Sequence, residues 1–223
     1  MSIGISILAY DDQHIKECMI IVFLMKDHDV KFYITTNKPD LITKGNNIII
    51  IETNEPFNYN LKRLGLRRAL EENELAIMMD TDMFIKTGFN LLDFHGLEEG
   101  IYVRWKGLVT NKTKLSSDIE YDYIERVREK SGIRDLYFID ESTIIFKIID
   151  QNKKKKIVDY WDDFYTETES LQPIYRNKGA VEGIIIYACA SLLELNLYED
   201  KQKFQFLIHY NKHESIDVKR KLI

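Results

Sequence analysis

Ala76-Ile77-Met78-Met79-Asp80-Thr81-Asp82 joins an apolar run, extended upstream by Leu75, to two carboxylates separated by one residue. A short apolar run bounded by polar residues suits a strand covered on both faces. In an extended chain, residues i and i+2 point to the same face, which would bring both carboxylates to one side. Paired hard oxygen donors suit a divalent cation such as Mg or Mn, which keeps positions open for water and phosphate oxygens. An ion bridging a diphosphate stabilises the charge that develops as the diphosphate leaves. The competing interpretation is a polar turn closing a core strand, because Asp-Thr-Asp alone is a weak signal. Its position after a βαβαβ-like segment favours the metal site.

That segment is read outward from Asp80. Ile3 to Leu8, Val30 to Thr35 and Ile48 to Ile51 read as strands. Ile15, Met19, Ile20, Val22, Phe23 and Leu24, and then Leu61, Leu64, Leu66, Ala69 and Leu70, recur at helical spacing. Strands alternating with helices predict an α/β fold, with a mixed, mostly parallel central sheet and helices on both faces. Ligands of such sheets bind beyond the carboxyl ends of the strands. Downstream, strands are expected at Ile101–Arg104, Thr143–Ile148 and Phe204–Ile208, and helices at Ile119–Lys130, Ile157–Phe164 and Gly179–Leu195. The whole chain, 1–223, reads as one domain, with the regular alternation in 1–85 and a less regular remainder in 86–223.

Composition narrows the classes. The 223 residues are 45% hydrophobic and 30% charged, with a net charge of −5. A core is within reach, and the acidic balance argues against a dedicated nucleic-acid binder. Cys18 and Cys189 sit in apolar helical patterns and read as buried free thiols. No apolar run reaches the ~18 residues of a membrane span, so a cytoplasmic protein without a transmembrane segment is expected. Lys153 to Lys156 reads as a solvated helix face.

Met78-Met79-Asp80-Thr81-Asp82-Met83-Phe84-Ile85 resembles the DxD signature of GT-A glycosyltransferases. Ile5-Ser6-Ile7-Leu8-Ala9-Tyr10-Asp11-Asp12 and Val30-Lys31-Phe32-Tyr33-Ile34-Thr35-Thr36-Asn37 resemble the first two strands of that fold, and the Ala-x-Asp-Asp pattern is most similar to the glycogenin-like family 8. The resemblance covers Ile3 to Ile85 and is patchy beyond, and it implies a nucleotide-binding half in 1–85 and an acceptor-side half in 86–223. It implies a GT-A fold and transfer of a sugar from a nucleotide-diphosphate sugar, by analogy a UDP-sugar, to an acceptor hydroxyl with Mn or Mg. The acceptor, whether glycan, lipid-linked or protein, stays open. It implies a base and ribose pocket at Ala9, Tyr10, Asp11 and Thr36, with donor contacts from Asp80, Thr81 and a basic residue on the helix before Asp80, either Lys62 or Arg63. Leu207-Ile208-His209-Tyr210-Asn211-Lys212 is similar to the family's carboxyl-terminal His-x-x-x-Lys region, but compressed and lacking its Gly and its Lys-Pro-Trp ending. His209 becomes the third metal ligand beside Asp80 and Asp82, and Lys212 a diphosphate contact.

Acceptor-side carboxylates are expected at Glu182, which opens an apolar helix between Gly179 and Gly183, and at Asp140 and Glu141, which precede a strand. In an inverting enzyme such a group deprotonates the acceptor. A first-turn Glu favoured by the helix dipole is the alternative for Glu182. The flanking glycines would let the backbone approach a sugar closely. Two other functions fit parts of the sequence. One is a HAD-type phosphohydrolase with Asp80 as nucleophile and Asp162-Asp163 as its later acidic motif. The other is a non-catalytic sugar-nucleotide-binding domain.

Overall fold

The computed structural model describes residues 1–86, 90, 94–109, 118–168, 181–205 and 207–209. The first half of the chain alternates as its apolar spacing demands. Strand β1 (Ile3–Leu8) leads to helix α1 (Asp12–Leu24), then β2 (Val30–Thr36) and β3 (Ile48–Glu52), followed by helix α2 (Lys62–Glu72) and β4 (Leu75–Met79). Strand β5 (Met83–Ile85) follows at once. The second half adds β6 (Gly100–Val103), β7 (Lys106–Leu108), α3 (Asp118–Ser131), β8 (Tyr137–Ile139), β9 (Thr143–Lys147), α4 (Gln151–Thr168), α5 (Val181–Leu192), β10 (Leu197–Glu199) and β11 (Leu207–His209).

Seven strands form one sheet in the order β10-β6-β9-β4-β1-β2-β3. β1 pairs in parallel with β2 and β4, β2 with β3, and β6 with β10, whereas β9 is antiparallel to both β4 and β6. The sheet is therefore mixed and mostly parallel, and it joins both halves of the chain through the β4–β9 pair. Two small antiparallel pairs, β5–β11 and β7–β8, stand beside it.

Strand alternation sorts the side chains to two faces. Ile3, Ile5, Ile7, Ile77 and Met79 pack with Ile15, Cys18 and Ile21 of α1. Tyr33, Ala76, Met78, Ile144 and Phe146 pack on the opposite face with Leu66 and Ala69 of α2, Trp161 and Phe164 of α4, and Ile185 and Cys189 of α5. α2 lies flush on the sheet because Gly65 has no side chain: a Cβ there would stand 2.6 Å from Ser6 Oγ and 3.1 Å from the Tyr33 carbonyl. Both cysteines are buried and free. Among the described residues, no helix is long and apolar enough to cross a membrane.

Three sequence readings change. β5, β7, β8 and β10 are short strands that the apolar spacing does not announce. Phe204 closes a 3₁₀ turn (Gln202–Phe204), so the last strand begins at Leu207. The lysine run is not a uniform solvated face: Lys154 is buried and its Nζ donates to the Asn73 carbonyl at 2.7 Å, tying α4 to the loop before β4.

Candidate active site at the carboxyl end of β4

Asp80 follows β4 directly, and its amide donates to the Ser142 carbonyl at 2.9 Å, continuing the β4–β9 pairing by one step. The chain then turns. The Met83 amide donates to the Asp80 carbonyl at 3.2 Å, so Asp80-Thr81-Asp82 is a tight turn between β4 and β5. The same-face argument for an extended i, i+2 pair therefore does not apply here, and the turn sets the carboxylate directions instead. Thr81 is buried, and its hydroxyl donates to Glu17 Oε2 of α1 at 3.1 Å. It anchors the turn from below.

Four residues singled out in the sequence meet beside this turn. Lys62, in the first turn of α2, is buried; its Nζ lies 2.6 Å from Asp80 Oδ1 and 3.6 Å from Glu182 Oε1. Glu182, in the first turn of α5, is buried too. Glu141 Oε2 accepts from the Gly183 amide at 3.1 Å, so the carboxylate is held by the opening of α5. Burial pushes the Glu141 carboxyl well above its usual range; the Glu182 charge pushes the same way, and Lys62 opposes it. Burial works against the charged form of Lys62, yet the Asp80, Glu182 and Glu141 carboxylates raise its pKa far above the ordinary lysine value. The site is a buried ammonium ringed by carboxylates, a geometry in which removing one partner is costly.

Gly183 has a use other than the one its sequence position suggested. A Cβ there would lie 2.5 Å from the Ile139 carbonyl, so the missing side chain lets α5 close onto β8 rather than onto a ligand. Gly179 lies outside the described residues. Asp140 points elsewhere than its neighbour: it is paired with Arg104 Nε, and its Oδ1 accepts from the Ser142 amide at 3.1 Å and hydroxyl at 2.7 Å. It fixes the bend that presents Glu141.

At the ends of β1 and β2, Ala9 is buried, with its amide on the Thr35 carbonyl at 2.9 Å. Asp11 is the N-cap of α1 and accepts from the His14 amide at 2.8 Å. Thr36 is buried, with its hydroxyl oxygen accepting from the Lys38 amide at 3.1 Å. The Tyr10 hydroxyl donates to the Glu55 carbonyl, and its ring stands 5.2 Å from Phe57, itself 5.2 Å from Tyr59. Lys62 Nζ lies over Tyr59 at 5.2 Å. Phe57 and Tyr59 thus link the β1 end to the Lys62 cluster, and sequence reasoning missed them; their i, i+2 spacing just before α2 was the available signal. Arg63 turns away: it is paired with Asp162 of α4, donates to the Asn60 carbonyl at 2.9 Å and lies 4.8 Å from the Tyr165 ring centre. Between the two basic candidates, Lys62 is the one beside Asp80.

The chemistry of the donors fits a hard cation in part. Asp80 keeps a second oxygen beyond the one held by Lys62, and its side chain is 28% exposed. β11 pairs antiparallel with β5 so that His209 is opposite Met83, next in sequence to Asp82. The backbone of His209 therefore lies alongside the acidic turn; its side chain, and all of Lys212, lie outside the described residues. Among the described residues, no three His, Cys, Asp or Glu side chains converge as a ready-made cage. An ion that takes several ligands from water and phosphate needs no such cage.

No family model matches the chain, and no curated protein is recognisably similar to it in sequence. The fold and this cluster of charged groups carry the functional argument.

Proposed function

We propose that the chain is a metal-dependent glycosyltransferase of the GT-A kind that moves a sugar from a UDP-sugar to an acceptor hydroxyl. The observation that carries this reading is the acidic turn Asp80-Thr81-Asp82 at the carboxyl end of β4, with Lys62, Glu141 and Glu182 gathered beside it. A mixed, mostly parallel sheet with helices on both faces is the architecture the reading requires. Asp80 and Asp82, with His209, would hold Mn or Mg, which when bound supplies positive charge for the departing diphosphate. Ala9, Tyr10, Asp11 and Thr36 gather at the ends of β1 and β2, where an open α/β sheet takes its ligand.

The residues beside the turn divide the remaining work. Lys62 holds one Asp80 oxygen and links that carboxylate to Glu182, so the donor and acceptor sides share one cation. Glu182 would accept a proton from an acceptor hydroxyl if the transfer inverts, or orient a sugar if it retains; loss of a general base costs roughly 10²–10⁴-fold. Glu141, held by the Gly183 amide, has its carboxyl pushed toward the neutral form by burial and by the adjacent Glu182 charge. The phosphohydrolase alternative lacks support at its second motif, since Asp162 sits in α4 and is engaged by Arg63 and Arg67.

Asp82→Asn tests the reading. The variant keeps the size of the side chain at a turn outside the packed sheet, so its thermal midpoint should stay close to that of the parent. UDP-sugar turnover in Mn should vanish. Full turnover in Asp82→Asn, or in the parent protein with EDTA, would refute it.

A further inference from the structure

The sheet order leaves two outer strands, β10 and β3, and they end the sheet in different ways. β10 spans three residues and closes on Glu199. A short strand bearing a charge is an ordinary defence of a sheet edge against pairing with another chain. β3 has no such defence. It spans five residues, begins with four isoleucines, holds neither Pro nor Lys, and follows β2 in unbroken register. All four isoleucines are half-buried, with Ile48 and Ile50 packed on one face of the sheet and Ile49 and Ile51 on the other. The 3₁₀ turn Pro39–Leu41 touches β3 and leaves Leu41 53% exposed beside it.

The main chain of β3 is only half engaged. The Asn47 carbonyl accepts from the Phe32 amide at 2.8 Å, and the Thr53 amide donates to the Thr36 carbonyl at 3.0 Å, so the odd-numbered residues turn their peptide groups toward β2. Alternation turns those of Ile48, Ile50 and Glu52 outward. The Ile48 amide is taken by the Gly45 carbonyl at 3.1 Å. Among the described residues, no strand pairs with this outer side. The two ends of the strand also differ in charge. Lys44 precedes it and Glu52 closes it; both are exposed, and among the described residues neither has an ion-pair partner.

We propose that β3 is the contact surface for a second copy of this chain, paired antiparallel about a two-fold axis at Ile50. Such an axis, perpendicular to the sheet, makes an edge its own complement, and two-fold pairs are the commonest soluble oligomers. In that register Ile50 exchanges both main-chain bonds with its counterpart, and the Glu52 amide of each copy reaches the Ile48 carbonyl of the other. The Lys44 end of each copy meets the Glu52 end of the other, whereas a parallel pair would set like charges together. β1 and β2 stand between β3 and β4, so the contact leaves Asp80 open in both copies. The inference is independent of the glycosyltransferase reading.

Sedimentation velocity of the full chain over a concentration series tests it. The parent protein should pass from one copy to two as concentration rises. Deuterium exchange over 46–53 should slow in step, because the Ile50 and Glu52 amides become hydrogen-bonded. Ile50→Pro removes the outward amide and keeps the pairing with β2, as proline does on edge strands, so it should sediment as a single copy. Should that variant fail to fold, Glu52→Lys carries the test from an exposed position. Like charges then meet at both ends, and the dissociation constant should rise roughly tenfold. Adding Lys44→Glu to Glu52→Lys restores opposite charges and should recover the parent's association. A single copy of the parent at every concentration, species larger than a pair, or association unaltered by Glu52→Lys would overturn the β3 contact.

Discussion

Glu141 and Glu182 show how a carboxylate's neighbours set its task. Burial and the adjacent Glu182 charge both push the Glu141 carboxyl up, and that has a consequence for stability. The folded protein holds that carboxyl's proton above the pH at which the unfolded chain releases it. Stability should therefore fall as pH rises from the ordinary glutamate range through the raised folded value, since the native state then binds more protons than the unfolded one. Glu141→Gln keeps an acceptor for the Gly183 amide and removes the ionisation. It should raise the thermal midpoint relative to the parent at neutral pH, with the difference shrinking as the pH is taken down toward the ordinary glutamate value. A constant difference across the pH range, followed by scanning calorimetry, would show that Glu141 is not the proton carrier. At the same scale, sequence reading named Lys62, Asp80, Glu141 and Glu182 individually, on charge and position. It did not show that they share one cluster, or that Arg63 and Asp140 serve other partners, because side-chain direction depends on neighbours from α4, α5 and β9.

Helix α5 illustrates the element scale. Its first turn carries Glu182, the amide that holds Glu141 and the glycine that lets the helix close on β8. Gly183→Ala would place a methyl group 2.5 Å from the Ile139 carbonyl, a backbone atom that cannot swing aside. The cost should be about 1–3 kcal/mol, as for other overpacked positions, measurable by urea denaturation. The forced shift of the first turn should also lower turnover more than it lowers UDP affinity. An unchanged urea midpoint would mean that α5 sits further from β8 than the structure has it. The long elements were legible in advance: β1, α1, β2, β3, α2, β4, α3 and β9 all fall close to their expected ranges because each buries enough apolar surface to leave a periodic trace. β5, β7, β8 and β10 span three residues each. A strand that short exists by virtue of the partner it pairs with, and the partner is distant in sequence.

For the whole molecule, the sheet order places residues from both halves of the chain at one end of its central strands. β4 brings Asp80, its neighbour β9 brings Glu141, and α2 and α5 reach the same place from one face. A ligand spanning these groups binds the native state alone and should stabilise it. UDP with Mn at a hundred times its dissociation constant contributes about 2.7 kcal/mol. For a chain of this size each kcal/mol moves the midpoint by roughly 2–4 °C. A thermal-shift panel should therefore show a rise of several degrees with UDP and Mn together, and less with either alone. Equal shifts from all nucleoside diphosphates would remove the uracil assignment, and no shift from any would remove the nucleotide site.

The sequence by itself determined the α/β class, the strand that ends in Asp80 and the choice of charged residues worth following. These depend on local apolar spacing, and burial writes that spacing directly into the chain. Tertiary structure decided that Asp80-Thr81-Asp82 is a turn rather than an extended pair, that Gly183 serves packing, that Lys62 rather than Arg63 faces the acidic turn, and that Asp140 pairs with Arg104 while Glu141 is held by the opening of α5. Each of those depends on which distant segments meet, and pairing between β4 and β9 or packing of α5 on β8 is a property of the folded whole that no local pattern encodes.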